Sequence, residues 1–281
     1  MTGSLKRLAE SLWYVRSRHR LLNVPIPVRL PYGGWFLAYG DAIGARIAGY
    51  RLAGSPYEQA QWRLVKRILT PGGGFVDVGA NQGFYTILAS RLVGAAGSVF
   101  AFEPASTEVG KLRRNLRWNG CRNVVVEAMA VGAEVGRAEF HLYTGHQGSW
   151  SGLREGAADV VTEALLVEVP TTSLDAYFSG RPPERIDMIK IDVEGGELHV
   201  LEGARGLISR FRPVVLCEVE SRRTRQWGYE AEAIIARLEG WGYRWRTVKP
   251  DGKLGAPPKV ADEWQNLAAI PEERLGDLTA S

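Results

Sequence analysis

The sequence has few cysteines and no long apolar run. Its 281 residues include two cysteines, Cys121 and Cys217, which stand far apart without metal-ligand spacing. This pattern favours a reducing compartment over a disulfide scaffold. No stretch approaches the roughly 18 apolar residues of a membrane span, so none is expected. No long apolar segment follows the first residues, so we expect no secretory signal and a cytoplasmic location.

Charge of one sign is not concentrated in the chain. The net charge is +4, and the densest basic patch is Arg222–Arg225. This patch is interpreted as the solvated start of a helix, with contact to an anionic substrate or to nucleic acid as the alternative. No RNA-binding module is recognisable, so we expect no nucleic-acid partner. The sequence leaves the oligomeric state open, a homodimer included.

The first part of the chain reads as a cap, over residues 1–54. The apolar spacing of residues 4–20 predicts an amphipathic helix, and residues 24–52 read as short β-like pieces broken by glycine and proline. Ser55-Pro56-Tyr57-Glu58 then predicts a capping box that opens a helix ending near Leu69. Residues 55–281 are predicted to form the catalytic domain.

Strands and helices alternate through that domain. The predicted core strands are 75–78, 98–102, 124–126, 186–191, 214–219, 243–248 and 266–270. The predicted helices are 82–93, 105–119, 196–209 and 230–239. Residues 140–143 read as an extra hairpin strand, and the polar segment 144–163 as a substrate loop. Alternation of this kind predicts an α/β Rossmann-like fold, a mostly parallel seven-stranded sheet with helices on both faces.

The turn after the first core strand carries the first candidate site. It reads Asp77-Val78-Gly79-Ala80-Asn81-Gln82-Gly83-Phe84. Gly79 and Gly83 allow a tight turn near a ligand, and Asp77 places a carboxylate at the end of the strand. A dinucleotide motif counted from Gly79 would need glycines at 81 and 84, where Asn81 and Phe84 stand. An acidic residue instead suits the ammonium and sulfonium of S-adenosylmethionine.

Two further acidic groups end neighbouring strands. Glu103 follows the second strand, 20 positions beyond Gly83, where a carboxylate can accept hydrogen bonds from both ribose hydroxyls. The fourth strand runs into Asp192-Val193-Glu194-Gly195-Gly196-Glu197. We expect Asp192 to reach the cofactor or the substrate, and Glu197 to be partly structural at a helix start.

These elements together resemble the FkbM family of methyltransferases over about residues 55–270. The resemblance rests on 75–83, Phe102-Glu103-Pro104, Asn115 with Asn119, 172–175, 189–197 with Leu201-Glu202-Gly203, and 266–269. It implies a class I S-adenosylmethionine-dependent fold and O-methylation of a small-molecule hydroxyl, often on a polyketide, glycolipid or sugar in natural product biosynthesis. Residues predicted to bind the cofactor are Glu58, Asp77, Gly79, Ala80, Asn81, Gly83, Glu103, Pro104 and Asp192.

An alcohol acceptor must lose a proton, which favours a nearby general base. Asp192 is the first candidate, and His199, His146 and His141 are the alternatives. Trp150 is a candidate wall of the acceptor pocket. No side-chain cluster has metal spacing, so no metal is expected. Three other functions stay open: transfer to nitrogen or RNA, a nicotinamide-dependent oxidoreductase, and a non-catalytic protein that kept the fold.

Overall fold

A computed structural model describes residues 24–53, 57–143, 151–154, 164–259 and 265–280. The strands are β1 Ile26–Arg29, β2 Trp35–Ala38, β3 Gly74–Val78, β4 Ser98–Phe102, β5 Val124–Glu127, β6 Ala130–Val131, β7 Gly136–Leu142, β8 Leu165–Thr172, β9 Met188–Ile191, β10 Val214–Val219, β11 Tyr243–Thr247 and β12 Gln265–Pro271. The helices are α1 Ala42–Ala53, α2 Gln59–Ile68, α3 Phe84–Val93, α4 Ser106–Trp118, α5 Leu174–Ser179, α6 Glu197–Glu202, α7 Arg205–Phe211, α8 Ser221–Thr224, α9 Glu232–Glu239 and α10 Leu275–Ala280. Short 3₁₀ turns follow α8 and precede α10.

Seven strands form the central sheet, in the order β5-β4-β3-β9-β10-β12-β11. Numbered along the chain this order is 3-2-1-4-5-7-6, and only β12 runs antiparallel to its neighbours. The strand order reverses between β3 and β9, which creates a switch point at the carboxyl ends of the strands. This is the sheet of a class I methyltransferase, and the predicted fold class is confirmed.

The central strands are apolar because both faces of the sheet are covered. All five residues of β3 and all four of β9 are buried. One apolar cluster includes Leu64, Ile87 and Phe75 from α2, α3 and β3, and a second includes Val200, Leu207 and Ile189 on the other face. In α4, the apolar residues Val109, Leu112 and Leu116 are all buried.

The register aligns the ends of four strands. Val78 pairs with both Phe102 and Ile191, and Ile191 pairs with Cys217. The next residue on each strand therefore falls on one edge of the sheet, and these four residues are Gly79, Glu103, Asp192 and Glu218.

A second sheet interrupts the alternation between β5 and β9. Its order is β6-β8-β7, with β7 and β8 antiparallel. The extra strand predicted at 140–143 is thus part of a hairpin, although it begins earlier, at Gly136. Strand β8 was not predicted. Between β7 and β8 only residues 151–154 are described, so most of the predicted substrate loop lies outside the described residues.

Two local predictions were wrong. Helix α2 begins at Gln59, and Glu58 precedes it in a left-handed conformation, with φ +46°. Its carboxylate accepts a hydrogen bond from Tyr85 Oη, and Ser55, the other member of the predicted capping box, lies outside the described residues. The helix predicted over 196–209 is two helices, since the chain turns at Gly203, where a Cβ would lie 2.1 Å from the Gly132 carbonyl oxygen.

Residues 24–53 pack on the central domain. The predicted β-like pieces form the hairpin of β1 and β2, but helix α1 was not predicted. Asn115 Oδ1 accepts a hydrogen bond from Leu37 N, and the Asn119 side chain bonds both N and O of Trp35. The division at residue 54 stays a prediction, and the helix predicted over 4–20 lies outside the described residues.

Candidate functional site

One cavity of about 1330 Å³ opens at the carboxyl ends of β3, β4, β9 and β10. Most residues predicted to bind the cofactor line it: Glu58, Asp77, Gly79, Ala80, Asn81, Glu103, Pro104 and Asp192. Gly83 does not line the cavity, but it has φ +91° immediately before α3. The structure therefore brings together residues that are up to 134 positions apart in the chain.

The turn after β3 passes close to the neighbouring strand. A Cβ at Gly79 would lie 1.8 Å from the Asp192 carbonyl oxygen, and its φ is +79°. Gly79 N and Ala80 N both donate hydrogen bonds to Phe102 O, which fixes the turn on β4. Only glycine satisfies both the conformation and the space here.

Asp77 supplies a buried carboxylate beneath this turn. Thr86 Oγ1 donates a hydrogen bond to its Oδ2 at 2.6 Å, and its Oδ1 is buried with no partner among the described residues. Burial raises the pKa of Asp77, against the opposing charge of Lys190. A buried oxygen without a donor fits the ammonium of S-adenosylmethionine, because such an atom is costly unless a donor satisfies it.

Glu103 is held in place by the backbone. Asn81 N donates to its Oε2 and Ala105 N to its Oε1, each at 2.8 Å. The residue is 6% exposed, and burial raises its pKa to about 7 despite these two bonds. Each carboxylate oxygen retains a lone pair for a further donor, which fits a pair of ribose hydroxyls.

A chain of polar side chains crosses the centre of the cavity. Lys190, 3% exposed, places Nζ 2.8 Å from Asp192 Oδ2 and lies 4.9 Å from the ring centroid of Tyr85. Tyr85 Oη donates to Glu58 Oε2 at 2.5 Å. Burial raises the pKa of Glu58, with Lys190 opposing it. Lys190 is thus one positive charge close to three acidic side chains, Asp192, Asp77 and Glu58, and it offsets only part of their negative charge.

Asp192 and Glu218 form a hydrogen-bonded carboxyl pair. Burial opposes ionisation of Asp192, but Lys190 and the hydrogen bond with Glu218 lower its pKa overall. Burial and the charge of Asp192 raise the pKa of Glu218 well above its usual range. Of the two carboxyl groups, Glu218 therefore holds a proton more readily, and Asp192 ionises more readily. Sequence reasoning missed Glu218, although a carboxyl group inside an apolar strand was a usable signal.

The turn after β9 holds two more acids. Glu197 Oε1 accepts hydrogen bonds from Val193 N and Gly195 N, which confirms its structural role. Glu194 has φ +59° and pairs with Arg223 at 3.0 Å. Burial raises the pKa of Glu194 to about 8, against the opposing charge of Arg223.

The candidate histidines are separated by the fold. His199 lines the cavity from α6, half-buried against Trp227, with ring centroids 5.0 Å apart. His141 lies on β7 and pairs with Gly152. His146 and Trp150 lie outside the described residues. Trp227, which sequence reasoning did not select, is the tryptophan found in the cavity wall.

Residues 77–245 match the model of the methyltransferase FkbM domain. The match covers more than half of the chain, so the protein belongs to this family of methyltransferases. The match confirms the family of methyltransferases that the sequence resembles, with S-adenosylmethionine as the cofactor of that family.

Relatives among characterised sequences are more distant. Methyltransferase sdnD of Sordaria araneosa is 30% identical over 154 residues, 46% of this chain and 59% of that protein. The AMB antimetabolite synthetase AmbE of Pseudomonas aeruginosa is 26% identical over 289 residues, 83% of this chain and 13% of that protein. The chain therefore spans less than two thirds of the length of either relative.

Solved structures give a weaker likeness. A methyltransferase FkbM from Methylobacillus flagellatus KT superposes with a TM-score of 0.44 at 16% identity, covering 80% of this chain and 53% of that one. SMU.1697c from Streptococcus mutans, a putative methyltransferase in complex with SAH, gives 0.43 at 11% identity, covering 74% and 94%.

The described residues contain neither a candidate membrane span nor a candidate metal cluster. None of the described helices is long and apolar enough to cross a membrane. Within the same residues, no group of three or more His, Cys, Asp or Glu side chains is placed to hold a metal ion. The absence of a required metal stays a prediction.

Proposed function

We propose that the protein transfers the methyl group to a hydroxyl oxygen of a small molecule. The observation that carries this proposal is one continuous cavity of about 1330 Å³, which runs from the Gly79 turn to Trp227. Pockets for one small ligand usually measure roughly 300–1,000 Å³, so this cavity has room for the cofactor and a small acceptor. The name of one relative, an antimetabolite synthetase, supports an acceptor of natural-product type.

The cofactor is proposed to lie along the β3 and β4 side of the cavity. Asp77, with its free Oδ1, receives the ammonium of the methionine part, and Glu58 adds negative charge nearby. Glu103 accepts the ribose hydroxyls through the lone pairs left by Asn81 N and Ala105 N. Gly79, Ala80, Asn81 and Pro104 supply backbone and wall. S-adenosylmethionine supplies an activated methyl group when bound.

Asp192 is proposed to bind the acceptor hydroxyl and to take its proton. Its lowered pKa keeps it ionised, hence able to accept a hydrogen bond that aims the oxygen. As the new O–C bond forms, the C–S bond breaks and the electron pair of the C–S bond goes to sulfur. Because the oxygen now carries a third bond, its hydroxyl proton becomes strongly acidic. A weakly basic carboxylate then suffices as acceptor. His199 is the second candidate for this proton, because it lines the same cavity.

The test measures methyl transfer from tritiated S-adenosylmethionine to small molecules. Each hydroxylated compound is compared with the matched amine, which carries an amino group in place of the hydroxyl group. We expect label in alcohols, with the new methyl group located on oxygen by NMR of the product. Label found only on nitrogen, or only on RNA added in parallel, would contradict the proposal while leaving the methyltransferase assignment intact.

A further inference from the structure

The side of the cavity away from Asp77 is walled by Trp227. Its Nε1 donates a hydrogen bond to Glu194 O at 3.3 Å, and its ring lies on the backbone of Gly195 and Gly196. A Cβ at either glycine would lie 2.9–3.0 Å from the indole. The indole is thus seated against the turn that carries Asp192, next to the proposed site of transfer.

Arg154 lies over the ring of this indole. Its guanidinium carbon lies 4.8 Å from the Trp227 ring centroid, and both residues line the cavity. The backbone before Arg154 is anchored, since His141 and Gly152 exchange two hydrogen bonds and Ser151 Oγ accepts one from Tyr143 N. A guanidinium that stacks on an aromatic face keeps the N–H groups of its edge free for a bidentate partner.

Three other lysine or arginine residues line the cavity; two of them are in ion pairs, and the third, Arg46, acts on Asp192 through its charge. Lys190 is neutralised by Asp192, and Arg223 by Glu194 and Glu220. Among the described residues, no carboxylate forms an ion pair with Arg154. His199, whose Nδ1 is buried without a hydrogen-bond partner in the same set of residues, contacts the same indole. Within the described residues, the wall therefore offers a guanidinium that has no ion-paired carboxylate, and an imidazole, to a ligand on the acceptor side of the cavity.

We propose that Arg154, stacked on Trp227, binds an anionic group of the acceptor, a carboxylate or a phosphate. The acceptor is then an acidic hydroxy compound, bound with its anionic group against Arg154 and its hydroxyl toward Asp192. This inference rests on the proposed function and specifies its substrate class. Charge-assisted bidentate pairs bind carboxylate and phosphate alike, so both remain within one chemistry.

The first test compares acids with neutral analogues of the same shape. The full chain, with saturating S-adenosylmethionine, is assayed on 4-hydroxybenzoate and 4-hydroxybenzamide, and on glucose 6-phosphate and glucose. We expect a lower KM for the anionic member of each pair that is methylated. Arg154→Gln should raise that KM roughly ten- to a hundredfold and leave kcat and the neutral analogue nearly unchanged. Arg154→Lys should restore part of the loss.

The second test requires no turnover. Binding of inorganic phosphate to the chain loaded with S-adenosylhomocysteine is followed by phosphorus NMR. The phosphorus resonance of phosphate should broaden in the presence of the unchanged protein and should not broaden in the presence of the Arg154→Gln variant. The matched control is Arg210→Gln, which removes another exposed arginine, stacked on Phe211 and outside the cavity.

The outcomes separate this inference from the proposed function. Phosphate binding that is absent, or that survives Arg154→Gln, overturns the anionic subsite. An equal KM for acid and neutral analogue does the same, even if oxygen is methylated. A loss of S-adenosylhomocysteine affinity in Arg154→Gln would assign Arg154 to the cofactor instead. Methylation confined to nitrogen would overturn the proposed function, whatever Arg154 binds.

Discussion

Asp41 Oδ2 accepts a hydrogen bond from Gln82 Nε2 at 2.8 Å, with both side chains buried. Lys111 Nζ donates to the same oxygen at 2.8 Å, and Asp41 Oδ1 accepts from Gly44 N. Gln82 belongs to the turn that carries Gly79 and Asn81, whereas Asp41 precedes the residues matched to the family domain. Residues 24–53 therefore support the cofactor turn from outside that domain.

Replacing Asp41 by Ala is expected to weaken S-adenosylhomocysteine roughly tenfold. The change leaves the Gln82 amide without its acceptor and Lys111 with one partner fewer, a loss of about 1–3 kcal/mol in a buried site. Calorimetry measures the dissociation constant. Asn119→Ala is the matched control, because it detaches the same segment at Trp35 without touching Gln82. An equal effect of both variants would show that Asp41 acts only through general stability.

Glu103→Ala is expected to weaken the cofactor roughly ten- to a hundredfold, because both ribose hydroxyls lose a charged acceptor. The measurement is calorimetric titration with S-adenosylhomocysteine. Glu127→Ala is the control, since Glu127 ends the adjacent strand, accepts from Tyr177 Oη and lies outside the cavity. An unchanged dissociation constant in Glu103→Ala would mean that the ribose is held elsewhere.

Cofactor affinity should also depend on pH through Glu103. Burial raises its pKa to about 7 in the free protein. Ribose hydroxyls favour the ionised form, so affinity should rise roughly tenfold between pH 6 and 8. The stability of the free protein should change in the opposite direction. Because the pKa of Glu103 is raised on folding, its contribution to the free energy of unfolding is complete below the unfolded pKa of about 4.3 and is lost as the pH rises through 7. Glu103→Gln should flatten the affinity profile, and an unaltered slope in that variant would assign the proton to another group.

Asp192→Asn is expected to lower turnover by roughly 10²–10⁴ with little change in cofactor affinity, since a base acts in the transition state. Single-turnover rates at saturating cofactor measure this. Asp175→Asn is the control, because Asp175 caps α7 through Gly206 N and Leu207 N and lies outside the cavity. Normal turnover in Asp192→Asn would indicate that His199, and not Asp192, accepts the hydroxyl proton. A raised dissociation constant with normal turnover would instead make Asp192 a cofactor contact.

The sequence predicted best the strands of the central sheet. Residues 98–102 and 214–219 were bounded correctly, because strands covered on both faces are continuous apolar runs between turn residues. Strand β8 was missed, since Leu165–Thr172 mixes exposed leucines, a glutamate and a proline. Helix α1 was missed because two glycines dilute its apolar pattern.

For the site, the sequence predicted the residues at the ends of the strands but few of the residues that face them across the cavity. Asp77, Glu103 and Asp192 follow from strand ends that share one edge of the sheet. Arg154 and Trp227 meet across 73 positions of chain, and Asp41 and Gln82 across 41. Contacts of that kind depend on tertiary packing, which no local spacing encodes. Glu58 was predicted at the site, but its left-handed backbone and its bond to Tyr85 were not.

The contact between Gly196 and Trp227 makes two distant positions mutually dependent. With the indole 3.0 Å from where a Cβ at 196 would stand, any larger residue there needs a smaller one at 227. A larger residue at 196 alone should clash with the indole, and a smaller residue at 227 alone should leave a gap in the cavity wall, whereas changing both positions should give the wall a new shape. Attempts to redirect this enzyme to new acceptors should therefore vary 196 and 227 as one unit, in a paired library and not by single-site scanning.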